Sequence, residues 1–295
     1  MSYKGIYASS TANKQVFIFI MLVVMGFLLG NSIGMLGSLV FNPSSMTDFQ
    51  NEDTVYSLKF LQAFSSLGIF VFPPLLFWYL TGTTHYFNKV SRQQILLTIA
   101  IMLFSWPLIN FLSVWNEGLQ LPSFLSDLEA WMRLAEAKAM QITEAFLAVD
   151  TWSGLLVNLI IIALIPAFGE EFLFRGIIQN GLVKWTGKIH LSIWLSAFLF
   201  SAMHLQFLGF VPRFLIGGMF GYLMVWSGSI WLPIVAHFVN NAAAVLLTFF
   251  VMGGRLTKEV ESIGTNDGQE AMVLISVVGL AMLLFLLKQI SPTRT

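Results

Sequence analysis

Eight runs of apolar residues, most of them about 20 long and separated by polar stretches, constrain this chain more than any other feature. A helix rises 1.5 Å per residue and the hydrocarbon core of a bilayer is about 30 Å thick, so about 20 apolar residues cross it. The runs cover residues 15–40, 57–80, 94–115, 151–182, 191–210, 213–226, 231–252 and 271–287. They predict an all-α, polytopic transmembrane helical bundle of about eight spans, with kinked or broken helices. Composition agrees, since 57% of the 295 residues are hydrophobic and only 10% are charged, against roughly 25% charged in soluble domains. The 15 basic and 15 acidic residues cancel, so no net field favours nucleic acid or an acidic partner. The absence of cysteine excludes disulfides, thiolate metal sites and a cysteine nucleophile. The first run is too long for the apolar region of a signal peptide and has no small-residue cleavage pattern after it, so it reads as a span.

Proline and glycine mark the irregular places. Pro73-Pro74 and Pro107 are expected to kink their helices, because proline lacks the N–H and clashes with the preceding turn. The fourth run contains Pro166, Gly169 and two glutamates, and is expected to bend or break there. Gly26, Gly30 and Gly34 recur every four residues, as do Gly217 and Gly221, a spacing that lets membrane helices approach closely. Residues 121–147 carry Leu125, Leu128, Met132, Leu134, Met140 and Phe146 among acids, the pattern of an amphipathic helix on the membrane surface or over the bundle. Residues 253–270 read as a second polar loop. Three regions follow: 1–150, with three spans and the amphipathic segment; 151–249, a central core; and 250–295, a loop and a final span.

Charge sets the expected orientation. With the N-terminus inside, Lys4, Lys14, Lys89, Arg92, Lys184, Lys188, Lys288 and Arg294 fall on the inner side. Arg133, Lys138, Arg213, Arg255 and Lys258 fall in outer loops, with Lys59 just inside the second span. Every Asp and Glu outside the fourth run is also outer. The Lys and Arg bias predicts a multi-pass cell-membrane protein with both termini cytoplasmic.

Ionisable side chains within a bilayer cost at least roughly 2.5–3.5 kcal/mol each, so they need a partner or a purpose. Here they gather between the fourth and seventh runs: Glu170, Glu171, Arg175, His204 and His237, with Asn240 and Asn241 beside the last. Residues four apart share a helix face, so Glu171 and Arg175 meet and neutralise each other. Glu170 lies about 100° away and is left without that partner. A desolvated carboxylate beside a second acid is a better base than one in water, which suits general-base work. The alternative is a buried ion network that only fixes the bundle. His204 closes the pattern Phe200-Ser-Ala-Met-His204, and His237 and Asn241 project together from one apolar helix. Polar groups so placed must look into the bundle or a wet cavity. His85 and His190 lie near predicted membrane boundaries and are expected to be interfacial, without a role.

These pieces, in this order, resemble the CPBP family (CAAX protease and bacteriocin-processing, or Abi), intramembrane proteases that include the type II CAAX prenyl endopeptidases. The family pattern of EExxxR, FxxxH and Hxxx(N/B) reads here as Glu170-Glu171-xxx-Arg175, Phe200-xxx-His204 and His237-xxx-Asn241. The resemblance covers roughly residues 151–249 and implies an intramembrane endopeptidase acting on a membrane-associated peptide or protein. It implies that Glu170 and His204 activate the attacking water, that His237 and Asn241 hold the oxyanion, and that Glu171 and Arg175 support the site.

The chemistry has two forms. A metal-free, glutamate-dependent protease is the expected one, with no cofactor, because Asn241 beside His237 suits an oxyanion better than a metal. A zinc-dependent protease would use Glu170, His204 and His237 as ligands, although HExxH is absent. Two other classes compete: a non-catalytic immunity or scaffold protein of the same fold, and a proton-coupled transporter, for which no repeat is visible. Counted along straight helices, Glu170 and His204 sit about 14 residues from the inner boundary, or roughly 21 Å, and His237 only about six, or roughly 9 Å. Their convergence therefore requires tilt, a break near Pro166–Gly169, or a re-entrant segment.

Overall fold

The structure, a computed structural model, describes residues 3–43, 45–83, 86–266 and 268–291. His85 and Arg294 lie outside the described residues. Nine main helices are present among those described. They are α1 (Ala12–Phe41), α2 (Glu52–Thr81), α3 (Arg92–Glu117), α4 (Ser126–Leu147), α5 (Trp152–Thr186), α6 (Ile189–Met203), α7 (Phe210–Ser227), α8 (Trp231–Met252) and α9 (Glu270–Ile290). All but α4 and the shorter α6 belong to stretches long and apolar enough to span a bilayer, and α6 is an apolar helix of 15 residues. The chain is an all-α polytopic bundle of about eight spans in a multi-pass membrane protein. The fifth and sixth spans exchange their expected lengths. The fifth stops at Met203 instead of reaching residue 210, and the sixth begins before Arg213.

The bundle is inverted relative to a soluble protein. In α1 the buried positions are Leu22, Gly26, Gly30, Gly34 and Ser38, while Phe17, Leu28 and Leu36 are exposed, as a lipid-facing surface requires. A side chain on Gly26 would overlap the Gly68 carbonyl oxygen, and one on Gly30 the Phe64 carbonyl. The glycine repeat thus brings the α1 backbone onto α2. Gly26→Val is expected to lower stability by about 1–3 kcal/mol through overpacking. Lipid-facing Leu28→Ala should change the thermal midpoint in detergent far less, and equal losses would contradict this packing.

Pro73-Pro74 and Pro166 do not break their helices. Each is preceded by a stretch of wider i→i+5 turns, 67–71 in α2 and 159–164 in α5. A proline has no N–H to give the carbonyl four residues back, and a wider turn absorbs the mismatch. A third wide stretch, 172–179, follows Glu171. α5 therefore runs unbroken for 35 residues, and α3 continues through Pro107.

α8 is central, packing on α3, α5 and α7, while α6 packs on α7 and α9 on α3. Apolar clusters surround it, one of them built from Ile101, Met102, Phe220, Leu223, Leu232 and Leu287. The described terminal segments and the α5–α6 turn share one face of the bundle. The opposite face carries α4 and the turns that follow α1, α3, α6 and α8. On that face α4 leaves Leu128, Trp131, Leu134 and Met140 exposed and buries only Phe146. Its start is tied by Glu129, whose carboxylate accepts from Leu121 N–H (2.8 Å) and pairs with Arg133. Those two partners, Leu121 first, hold the Glu129 carboxyl below its usual range.

Candidate active site

Glu171 is the hub of a buried charge network. Its Oε1 accepts from Arg175 Nη1 at 2.9 Å and from His237 Nδ1 at 2.8 Å. Glu171 and Arg175 are buried almost completely. Arg175 also donates from Nη2 to the Gly217 carbonyl on α7 (2.8 Å). Its guanidinium lies 4.7 Å from the centre of the Phe200 ring and 5.3 Å from that of Phe220. One cation thus joins α5, α6 and α7, and the carboxylate it neutralises orients an imidazole on α8. Small residues make this possible: a side chain on Gly169 would strike Phe70, and one on Gly217 would press on Phe200 and Ala197.

Glu170 turns away from this network, as the helix geometry predicts. Its Oε2 is buried and has no hydrogen-bond partner in the protein. It stands 3.8 Å from His204 Nε2 and 4.0 Å from His237 Nε2, too far for direct hydrogen bonds and suited to a bridging water. His204 caps the end of α6, and its Nδ1 lies 2.8 Å from the Phe200 carbonyl. A carbonyl only accepts, so Nδ1 carries the proton and Nε2 presents its lone pair to Glu170. The same reasoning places a proton on His237 Nδ1, which faces the Glu171 carboxylate.

Asn241 is fixed by a proline. In a regular helix the Ile162 carbonyl would accept from residue 166, but Pro166 has no N–H. Asn241 Nδ2 fills the gap at 3.1 Å, and its Oδ1 accepts from Asn240 Nδ2 at 3.1 Å. The second Nδ2 hydrogen is left over from this pair of bonds. Glu170, His204, His237, Asn240 and Asn241 all line one chamber of about 380 Å³, with Phe200, Phe220 and Gln62 in its wall.

The four side chains singled out from sequence thus meet, and the expected mismatch in depth disappears. α5 continues far past Glu170, whereas α8 begins fewer than two turns before His237. The Thr186 end of α5 reaches past the Trp231 end of α8, so counting from helix ends overstated the depth of Glu170. His190 is exposed and pairs through Nδ1 with the Tyr222 hydroxyl at 2.8 Å. Arg213 corrects the sequence reading. It was expected in an outer loop, but it sits in the first turn of α7 and lines the chamber. Its apolar flanks could have revealed it as a further cation within an apolar helix. No three His, Cys, Asp or Glu side chains among the described residues stand in metal-ligating geometry.

The fold is that of a multi-pass membrane protein, and its central segment is similar to CAAX proteases. Residues 152–243, which contain all seven motif residues, match the family model described as type II CAAX prenyl endopeptidase Rce1-like. The similarity read from the motifs therefore holds over that segment, and the family it points to is one of proteases. The chain is also 30% identical over 89 residues to the uncharacterized protein YpbD of Bacillus subtilis (strain 168), a match covering 29% of this chain and 42% of that relative. The chain thus spans less than half the length of that curated relative. No solved structure matches.

Proposed function

We propose that this chain is an intramembrane endopeptidase that hydrolyses a peptide bond of a membrane-associated peptide or protein. One observation carries the reading: the buried, unpartnered Glu170 Oε2 faces the Nε2 atoms of two histidines in a chamber of about 380 Å³. A water between Glu170 and His204 gives a hydrogen bond to each acceptor and turns its own lone pair toward the substrate carbonyl. Its oxygen bonds to the carbonyl carbon while a proton passes to Glu170. The developing oxyanion takes the free Nδ2 hydrogen of Asn241 and, once a proton is also on its Nε2, the ring N–H of His237, whose Nδ1 pairs with Glu171. The C–N bond then breaks, and the proton held by Glu170 goes to the leaving amine. Glu171 and Arg175 orient His237 throughout.

The rival zinc form has one point in its favour. Both histidines engage Nδ1–H with an oxygen and leave Nε2 free, as metal-ligating histidines do. The metal-free form is preferred because Asn241 beside His237 suits an oxyanion better than a metal. The two forms separate experimentally. Purified protein in liposomes is expected to cleave membrane-associated peptides at an unchanged rate under strong chelation. A rate lost on chelation and restored by stoichiometric zinc would transfer the reading to Glu170, His204 and His237 as ligands. If no cleavage is found and His204→Ala leaves the cellular role intact, the protein is a non-catalytic scaffold of the same fold.

The lipid bilayer is the working partner, and both termini are taken as cytoplasmic. With Arg213 inside a helix, four basic residues remain on the α4 face: Arg133, Lys138, Arg255 and Lys258. The bias in Lys and Arg still favours the terminal face as the cytoplasmic one.

A further inference from the structure

The chamber wall holds four ionisable side chains, Glu170, His204, Arg213 and His237, and only Arg213 lies outside the three motifs. It reaches back from α7 across the segment that follows His204. Nη1 donates to the Gln206 carbonyl at 3.2 Å and Nη2 to Gln206 Oε1 at 3.0 Å. A methyl group on Gly209 would come within 3.1 Å of Nη2. Residues 204–209 therefore fold around the guanidinium.

That segment is not relaxed. Leu205, the residue after His204, has φ of 53°, in the left-handed region that non-glycine residues rarely occupy. Strain of this kind persists where the surroundings over-determine the backbone. Side-chain bonds grip the chain from Phe207 to Val211, including one from the Ser201 hydroxyl to the Phe210 carbonyl. Asn116 donates to the Phe207 carbonyl and accepts from Val211 N–H, and Glu136 accepts from Leu208 N–H. Among the described residues, only the Arg213 fork reaches Gln206, two residues from the imidazole that faces Glu170. The charge of Arg213 also acts on Glu136, Glu170 and His204, which is why a variant that keeps the charge is part of the test.

We propose that Arg213 is a positioning residue: by clamping Gln206 it fixes the backbone that holds His204 Nε2 opposite Glu170. The proposal rests on the peptidase reading above. A lysine would keep the charge but lose the planar fork that takes two acceptors at once. A small displacement of His204 would then fall on the chemical step more than on binding.

The experiment compares Arg213→Lys, Arg213→Gln and Gln206→Ala with wild type, and uses Glu170→Gln as control. Rates are measured per folded molecule. Both Arg213 variants should lose roughly 10- to 100-fold in kcat, with KM within about twofold of wild type. Gln206→Ala, which removes one of the two acceptors and no charge, should lose severalfold in kcat and keeps the test readable if the Arg213 variants do not fold. Three results overturn the proposal: unchanged kcat in Gln206→Ala or in folded Arg213→Gln, full activity in Arg213→Lys, or a rise in KM with kcat preserved. Full activity in Glu170→Gln would instead remove the peptidase reading, and the proposal with it.

Discussion

Glu170→Gln should lower peptide hydrolysis by a factor of about 10³ or more while the protein stays folded, within the range that general-base removal gives. The substitution keeps shape and volume. Because Glu170 Oε2 has no hydrogen-bond partner in the protein, an amide there breaks no bond of the scaffold. It also removes a charge that burial makes costly. Folding is therefore expected to be unharmed or improved, while the amide has no basic oxygen to take the water proton. A bound, uncut substrate should accumulate, and mass spectrometry of peptide retained by the purified variant would identify it. A hydrolysis rate equal to wild type would remove Glu170 from the chemistry.

Arg175→Ala should act in the opposite way, on the fold before the chemistry. Removing one member of a buried pair costs about 3–5 kcal/mol, because the remaining charge is left uncompensated. Here the orphan would be Glu171, buried on α5 and also bonded to His237. The Gly217 carbonyl and the faces of Phe200 and Phe220 would lose their partner as well. The expected result is a large fall in thermal midpoint and yield in detergent. Pairing the change with Glu171→Gln removes the stranded charge and should recover part of the stability, but not activity, since His237 loses its carboxylate. A singly substituted protein as stable as wild type would contradict the role assigned to this network.

The spans were readable in the sequence because a bilayer demands about 20 apolar residues per crossing, and little else produces such runs. The pairing of Glu171 with Arg175 was also readable, since it depends only on helical spacing. What escaped was set by tertiary context. The Pro166–Gly169 segment was expected to bend or break; wider turns carry α5 through it as one helix, and no local pattern announces that choice. Arg213 was placed in a loop because a cation at the edge of an apolar run reads as a boundary. The early end of α6 at Met203 moved that boundary. The tie between Asn241 and the Ile162 carbonyl needs two helices to be docked, so only Pro166 hinted at it.

The wide turns of α5 also have a consequence for register. Each i→i+5 irregularity is equivalent to one residue inserted into an otherwise regular helix. All side chains downstream are therefore rotated by roughly 100° from where an uninterrupted helix would aim them. Deleting a single residue between positions 159 and 164 would undo that rotation. The two adjacent acids would turn together, and neither would keep its present bearing toward α6 and α8. The length of this apolar stretch, and not only its character, is part of what aims the carboxylates, so relatives compared across it should be matched by facing direction before letter by letter.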